Sequence, residues 1–408
     1  MSRVASTAAI REMFPALDRQ QGGLPVAFFD GPGGTQVPRA VADAVADYLL
    51  HHNANTHWHY PTSAESDAML WRARQLFADF MNGAPEEIVF GNNMTTITFH
   101  VARALAREWQ AGDEVIVTEI DHHGNVAPWQ AIAQERGVVL RWLPLDDARR
   151  ELRLDLLPGL ISPRTRLLAI NAASNFLGTI TDIPRATAVA RSHAVLSYVD
   201  GVHYAPHQLP DVVALGCDFF ACSAYKFHGP HVGVLWGRRE LLDAIDAPRL
   251  LPAPQEAPER FETGTQNHEG IVGAGAAVEW LASLAGSDAP TRAALVETYR
   301  VLHDREMTLF DQLWRGLAGL PGVTCFGLAP EGHRTATIAF AVDGIGADVA
   351  AIQLATAGCF VSHGDFYATT IAERLGIDAE GVLRIGLACY STADEVDRVV
   401  AGVAALAR

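Results

Sequence analysis

The stretch SAYKFHGPH (223–231) directly follows the apolar run DFFAC (218–222) and contains Lys226. Lys226 is the single lysine among 31 Lys plus Arg, so every other cationic position uses arginine. Arg stays protonated and is a poor nucleophile, whereas a desolvated Lys can lose its proton and attack a carbonyl. One position in this chain therefore needs what Arg cannot do. We read Lys226 as a Schiff-base lysine placed at a strand end, and the surrounding sequence as the scaffold that puts it there.

Working outward, short apolar runs alternate with helix-period segments. EIVFG (87–91) precedes MTTITFHVARALAREW, DEVIVTE (113–119) precedes VAPWQAIAQERG, and TRLLAINAAS (165–174) precedes IPRATAVARSHA. VLSYVDG (195–201), DFFACSAYK (218–226) and VGVLWGR (232–238) follow. Runs apolar on both faces predict a mostly parallel sheet covered by helices on both sides. The fold class expected is α/β: a large domain over 20–288 and a smaller α+β C-terminal domain over 289–408, joined by residues 1–19. The Pro-rich APRLLPAPQEAPERF (247–261) interrupts the alternation, and a long helix is expected from about Thr291 to Leu320.

A chain of 408 residues with 49% hydrophobic and 19% charged content can build a large globular core. A net charge of −16 argues against nucleic acid and against an anionic membrane surface. No leader-like start and no run of 18 apolar residues is present, so a soluble cytoplasmic protein is expected. The five cysteines (Cys217, Cys222, Cys325, Cys359, Cys389) form no CxxC pair and read as buried reduced thiols. His51, His52, His57 and His59 crowd one segment. One or two of them are expected at a pocket mouth, with His57 a candidate substrate contact and no metal held.

In open α/β sheets ligands collect at the carboxyl ends of strands. Asp200 ends VLSYVD, and an acid there can keep a heterocyclic nitrogen protonated. NNMTT (92–96) joins a strand to a helix, so the start of that helix, with Met94 and Thr95, can hold a phosphate. Ser223 and Tyr225 add hydroxyls beside Lys226, and Asn175 follows the strand LLAINAAS. A lysine, an acid and a phosphate cup are the needs of pyridoxal phosphate.

With these parts in place, the chain resembles the class V aminotransferase, or cysteine desulfurase-like, family of fold type I pyridoxal phosphate enzymes. DHHGNVAPWQ (121–130), SNFLGT (174–179), VDGVHYAPH (199–207) and FETGTQN (261–267) are similar to four ordered family motifs. The resemblance implies that Lys226 bonds the cofactor and later shuttles a proton. It implies that Asp200 holds the pyridinium nitrogen, that His122 stacks on the ring and that Asn175 lies near the ring hydroxyl. Thr95, Ser223 and Tyr225 would bind the phosphate. Thr265 would reach the phosphate of a neighbouring subunit, which implies a homodimer. Arg384, in LRIGL, would hold a substrate carboxylate as a bidentate pair.

Departures are equally informative. His203 stands where the family has Gln, Tyr225 where it has His, and GPGGT (31–35) where its first turn has Ala-Ala or Ala-Thr. The desulfurase loop R-x-G-H-H-C-A corresponds to SHGDFYATT (362–370), which puts Tyr367 at the position of the nucleophilic Cys. A phenol cannot carry a persulfide. Tyr367 is instead expected to shape the pocket or to act as an acid or base near the leaving group. The resulting expectation is a lyase acting on an amino acid or amine substrate by elimination, C–S cleavage included, without persulfide chemistry. An aminotransferase or epimerase is the alternative, and a non-catalytic cofactor-binding module a distant one.

Overall fold

The computed structural model describes residues 4–286, 291–377 and 380–407. The expected domain boundary at 288/289 lies outside the described residues. A seven-stranded sheet is built from β1 (Ile88–Gly91), β2 (Glu114–Thr118), β3 (Val139–Leu143), β4 (Thr165–Asn171), β5 (Leu196–Asp200), β6 (Phe219–Ser223) and β7 (Gly233–Gly237). Their spatial order is β1-β7-β6-β5-β4-β2-β3. β7 is antiparallel to both neighbours, and the other pairings are parallel. Residues 224–232 that lead into β7 are too few for a parallel crossover, which takes about a dozen.

Side chains alternate across this sheet, and each face has its own helical cover. Phe220 and Cys222 point into a core shared with the helices α1 (Pro61–Met81), α4 (Ile183–Ser192) and α5 (His268–Ser283). Phe219 and Ala221 point to the other side, onto α2 (Met94–Leu105) and α3 (Ala127–Arg136). Burial on both faces is why these strands read as unbroken apolar runs, whereas edge strand β3 is only partly buried.

The long helix α6 (Arg292–Ala318) leads to a four-stranded antiparallel sheet of β8 (Val323–Phe326), β9 (Thr337–Val342), β10 (Ser362–Gly364) and β11 (Val382–Gly386), in the order β8-β9-β11-β10. Phe310, Leu313 and Leu317 of α6 pack on it with α7 (Ala347–Thr356) and α8 (Ala393–Leu406). The N-terminal segment lies between the two parts. Phe14 meets His228 and Trp280 on one side and Tyr390 on the other, while Arg11 pairs with Glu395 at 3.0 Å. Asp30 forms a parallel bridge with Gly386. That bridge brings the glycine turn 31–34 against the carboxyl ends of the large sheet.

Candidate active site

Asn171, Asp200 and Ser223 end three adjacent parallel strands, with Asp200 in register with both Asn171 and Ala221. Lys226 is not itself in the strand. β6 stops at Ser223, and Lys226 closes a short helical turn, Ala224–Lys226, just beyond it. The N-terminus of α2 meets the same edge, where Met94 donates its amide to Ser223 Oγ at 3.0 Å. Asn93 caps this helix by accepting from the Thr96 amide at 2.9 Å. These groups open onto one cavity of about 1040 Å³.

The cavity gathers Met94, Thr95, His122, Asn175, Asp200, His203, Ser223, Tyr225, Lys226, Tyr367 and Arg384. Asp200 Oδ1 accepts the Val202 amide at 2.9 Å. Burial pushes its carboxyl up to about 7, opposed by that amide and by Lys226. Burial lowers Lys226 to about 7, with Arg384 acting in the same direction and Asp200 against it. Burial, then Lys226 and Arg384, hold His122 at about 4, so its imidazole is neutral at pH 7. His122 Nδ1 accepts the Gly124 amide at 2.9 Å, which fixes the ring. His203 Nε2 lies 3.0 Å from Thr335 Oγ1.

Arg384 sits in the middle of β11 and is 4% exposed. Nη1 donates to Asn175 O at 3.0 Å, and its guanidinium lies 4.0 Å from the Phe366 ring centroid. Among the described residues, neither Nε nor Asn175 Oδ1 has a hydrogen-bond partner. A buried cation held by one carbonyl and one ring face retains donors for a carboxylate. Arg384→Lys keeps the charge and loses the fork. We expect KM for a carboxylate-bearing substrate to rise about 10- to 100-fold, the loss of one charge-assisted bond. Steady-state kinetics on the amino acid and its decarboxylated amine check this, because the amine should be nearly indifferent.

Tyr367 is in the loop that follows β10, ahead of the helix Thr369–Arg374, and is 72% exposed. Phe366 and Tyr367 both have left-handed backbones, with φ of 56° and 55°. Non-glycine residues adopt such angles only when held there. Phe366 O accepts Asn175 Nδ2 at 2.9 Å, Tyr367 O accepts the His123 amide at 2.6 Å, and Tyr367 N donates to Asp365 Oδ1 at 2.9 Å. The Tyr367 ring then lies 5.5 Å from that of His122.

Two expected site residues lie elsewhere. His57 is absent from this cavity. Its imidazole faces Asp67 at 3.4 Å and Glu259 at 3.7 Å, because its segment packs toward 259–267. His57 and Thr265 share a separate cavity of about 600 Å³. Thr265 also borders a smaller one with Asn92 and Thr96 at the start of α2. His52 is held between Glu65 and Asp47, at 2.7 and 3.5 Å.

Asp121 is not among the residues that line the cavity, and it was not singled out from the sequence. Asp121, the first residue of the DHHGN segment, accepts from Thr118 and from Asn125 Nδ2, and burial raises it to about 8. Its place after a buried strand was the available signal. Pro32 and Gly33 line the cavity beside Lys226. No cysteine lines it among the described residues. Cys217, Cys222, Cys359 and Cys389 are buried, and burial pushes all five thiols up, away from thiolate. Cys359 belongs to the core of the smaller part, as expected.

A lysine, a strand-end acid and a helix N-terminus in one crevice define the fold type I class of pyridoxal phosphate enzymes. The profile of the family "Aminotransferase class-V" matches residues 27–399. A cysteine desulfurase of Klebsiella pneumoniae is 35% identical, with 98% of this chain and 97% of that protein covered. The structure of an Escherichia coli cysteine desulfurase superposes with a TM-score of 0.85 at 31% identity, covering 98% of both chains. That of a Thermococcus onnurineus cysteine desulfurase, an apo form, gives 0.89 at 25% identity over 100% of this chain and 99% of that one. The chain belongs to the class V aminotransferase family, whose members are pyridoxal phosphate-dependent enzymes.

The residues present fit that cofactor. Ser223 Oγ accepts from Met94, so its own proton remains for a phosphate oxygen, beside Thr95, Tyr225 and the helix N-terminus. Among the described residues the one hydrogen bond to the Asp200 carboxylate falls on Oδ1, and Asn175 Oδ1 has no partner. No described helix is long and apolar enough to cross a membrane.

Proposed function

We propose that the protein is a lyase that eliminates a leaving group from Cβ of a small, carboxylate-bearing amino acid, sulfur leaving groups included, without passing sulfur to a protein thiol. One observation supports this reading: the cavity holds Lys226, Asp200 and Arg384 and is lined by the phenol Tyr367 and by no cysteine among the described residues. Pyridoxal phosphate supplies an electron sink conjugated with the substrate Cα. Asp200 holds a proton at the pyridine nitrogen. Arg384 fixes the carboxylate and so orients the Cα–H bond. Lys226 Nζ removes the Cα proton. Tyr367, at the loop, faces the side of the leaving group and can donate a proton to it. His122 stays neutral and packs against the ring face, excluding water.

Thr265 does not line the cavity of its own chain, which supports the reading that it completes the phosphate site of a second copy. The active form is then a homodimer, and exposed Trp58 and Leu250, which line the same cavity as Thr265, are suited to burial in it.

Incubation with L-cysteine tests the sulfur chemistry. Elimination with water gives pyruvate, ammonia and sulfide in equal amounts, and intact-mass spectrometry should show no protein-bound sulfur. Alanine release with a persulfide on any of the five cysteines contradicts the reading. A panel of other β-substituted amino acids, scored by ammonia and keto acid, identifies the preferred leaving group.

A further inference from the structure

Lys226 Nζ is the only lysine amine in the chain, and it is caged. It donates to Pro32 O at 2.5 Å and to Gly33 O at 3.0 Å. It also lies 4.9 Å from the centroid of the Tyr225 ring, within cation–π range. Consecutive carbonyls converge on one point because the turn 30–34 is closed on itself: the amides of Gly33 and Gly34 both donate to Asp30 O, at 2.7 and 3.2 Å. The turn is tied to the lysine's own backbone as well. Thr35 N and Oγ1 both donate to Tyr225 O, at 3.0 and 3.3 Å, and the His228 amide donates to Thr35 Oγ1 at 2.8 Å. Cage and lysine are therefore held in register from both sides.

An ammonium has three donors and no acceptor, so two carbonyls and an aromatic face suit its charged form. A neutral amine could use only two hydrogens and would gain little from the ring. Resting on the functional reading above, we propose that the turn Asp30–Gly34 and the Tyr225 ring form a docking place for the protonated Lys226 side chain in the part of each catalytic cycle when it is not bonded to the cofactor. Two of its hydrogens are then fixed on Pro32 O and Gly33 O. The third has no acceptor among the described residues and is available to the reacting group. The turn acts through Lys226 and is a positioning element. The absence of a side chain at 33 fits this: a Cβ on Gly33 would stand 3.1 Å from Asp30 O, so the closed turn would have to give.

The single lysine makes the test clean, since protein labelled with lysine carrying 13C at Cε shows one ε-resonance. Holoenzyme is treated with aminooxyacetate. Its alkoxyamine nitrogen takes the cofactor's aldehyde carbon as an oxime, the C–N bond to Nζ breaks, and the freed amine takes a proton from water. Docking predicts an upfield ring-current displacement of the Lys226 ε-protons and cross-relaxation to Pro32 and Gly33. The displacement should be kept in Tyr225→Phe and lost in Tyr225→Leu, and cross-relaxation should weaken in Gly33→Ala. A freed Lys226 resonating at the position of a solvent-exposed lysine, unmoved by all three substitutions, overturns docking. Borohydride treatment of the untreated holoenzyme separates the two readings. A tag on Lys226 with no docking signal sinks only the cage, whereas no tag at all sinks the functional reading and this inference with it.

Discussion

Lys226→Arg loses turnover by about a million-fold, the scale seen when a covalent catalytic residue is removed. The substitution retains a cation and most of the side-chain length, so loss of charge cannot explain the result. What it removes is an amine that can be deprotonated, since burial and Arg384 bring Lys226 down to about 7 while a guanidinium stays charged. The effect should be on kcat. Borohydride should tag the Lys226 peptide in the wild type and tag nothing in the variant, while the variant still takes up cofactor non-covalently through Thr95, Ser223 and Tyr225. A variant with a tenth of normal activity would remove Lys226 from the reaction.

Asp200→Asn is expected to lower kcat by about 10²–10³, or 3–4 kcal/mol, by analogy with losing one preorganised polar partner. The substitution is nearly isosteric, and its amide oxygen can still accept the Val202 amide. It cannot hold a proton on a heterocyclic nitrogen as a carboxylate does. The sign of the Asp200 shift gives a second check. Its carboxyl is raised by burial to about 7 even beside Lys226, so before a pyridinium pairs with it the group takes up a proton as pH falls through neutrality. A bound pyridinium reverses this by favouring the carboxylate. Cofactor affinity in the wild type should therefore depend on Asp200 ionisation, and that component should vanish in Asp200→Asn. Unchanged kcat would show that Asp200 does not serve the ring nitrogen.

The parts of the site that local sequence made legible are those at the ends of strongly patterned strands. Asp200 and Lys226 follow apolar runs too buried to be anything but central strands, so their place at the sheet's carboxyl edge was implied by pattern alone. The order of strands and the reversal at β7 were not readable in that way. A run buried on both faces reads the same in either direction, and only the short 224–232 connection carries the information. Asp30 and Phe366 escaped for a different reason. Each reaches the site through long-range contacts, Asp30 by its bridge to Gly386 and Phe366 by its ring on Arg384. No periodicity encodes such contacts. His57 lies in another cavity of its own chain than Lys226 does, and four histidines in one segment suggest a polar lining but not which cavity they line. Carboxylates at 67 and 259 hold the His57 imidazole, the first ten residues away and the second distant in sequence.

The antiparallel pairing of β10 with β11 has a consequence for how this enzyme could diversify. Ser362 pairs with Arg384, and Gly364 with Val382, so the loop bearing Tyr367 starts from a rung fixed relative to the arginine. The arginine proposed to grip one end of the substrate and the loop proposed to meet the other are mounted on a single ladder, which acts as a caliper with a locked jaw. A substrate one atom longer cannot be met by sliding the strands, because a register shift of one residue would turn Arg384 out of the cavity. New leaving groups must be accommodated by exchanging side chains at 365–367 within a constant span. The three residues of that short arc are where the selectivity of such a chain can drift while its grip on the carboxylate stays unchanged.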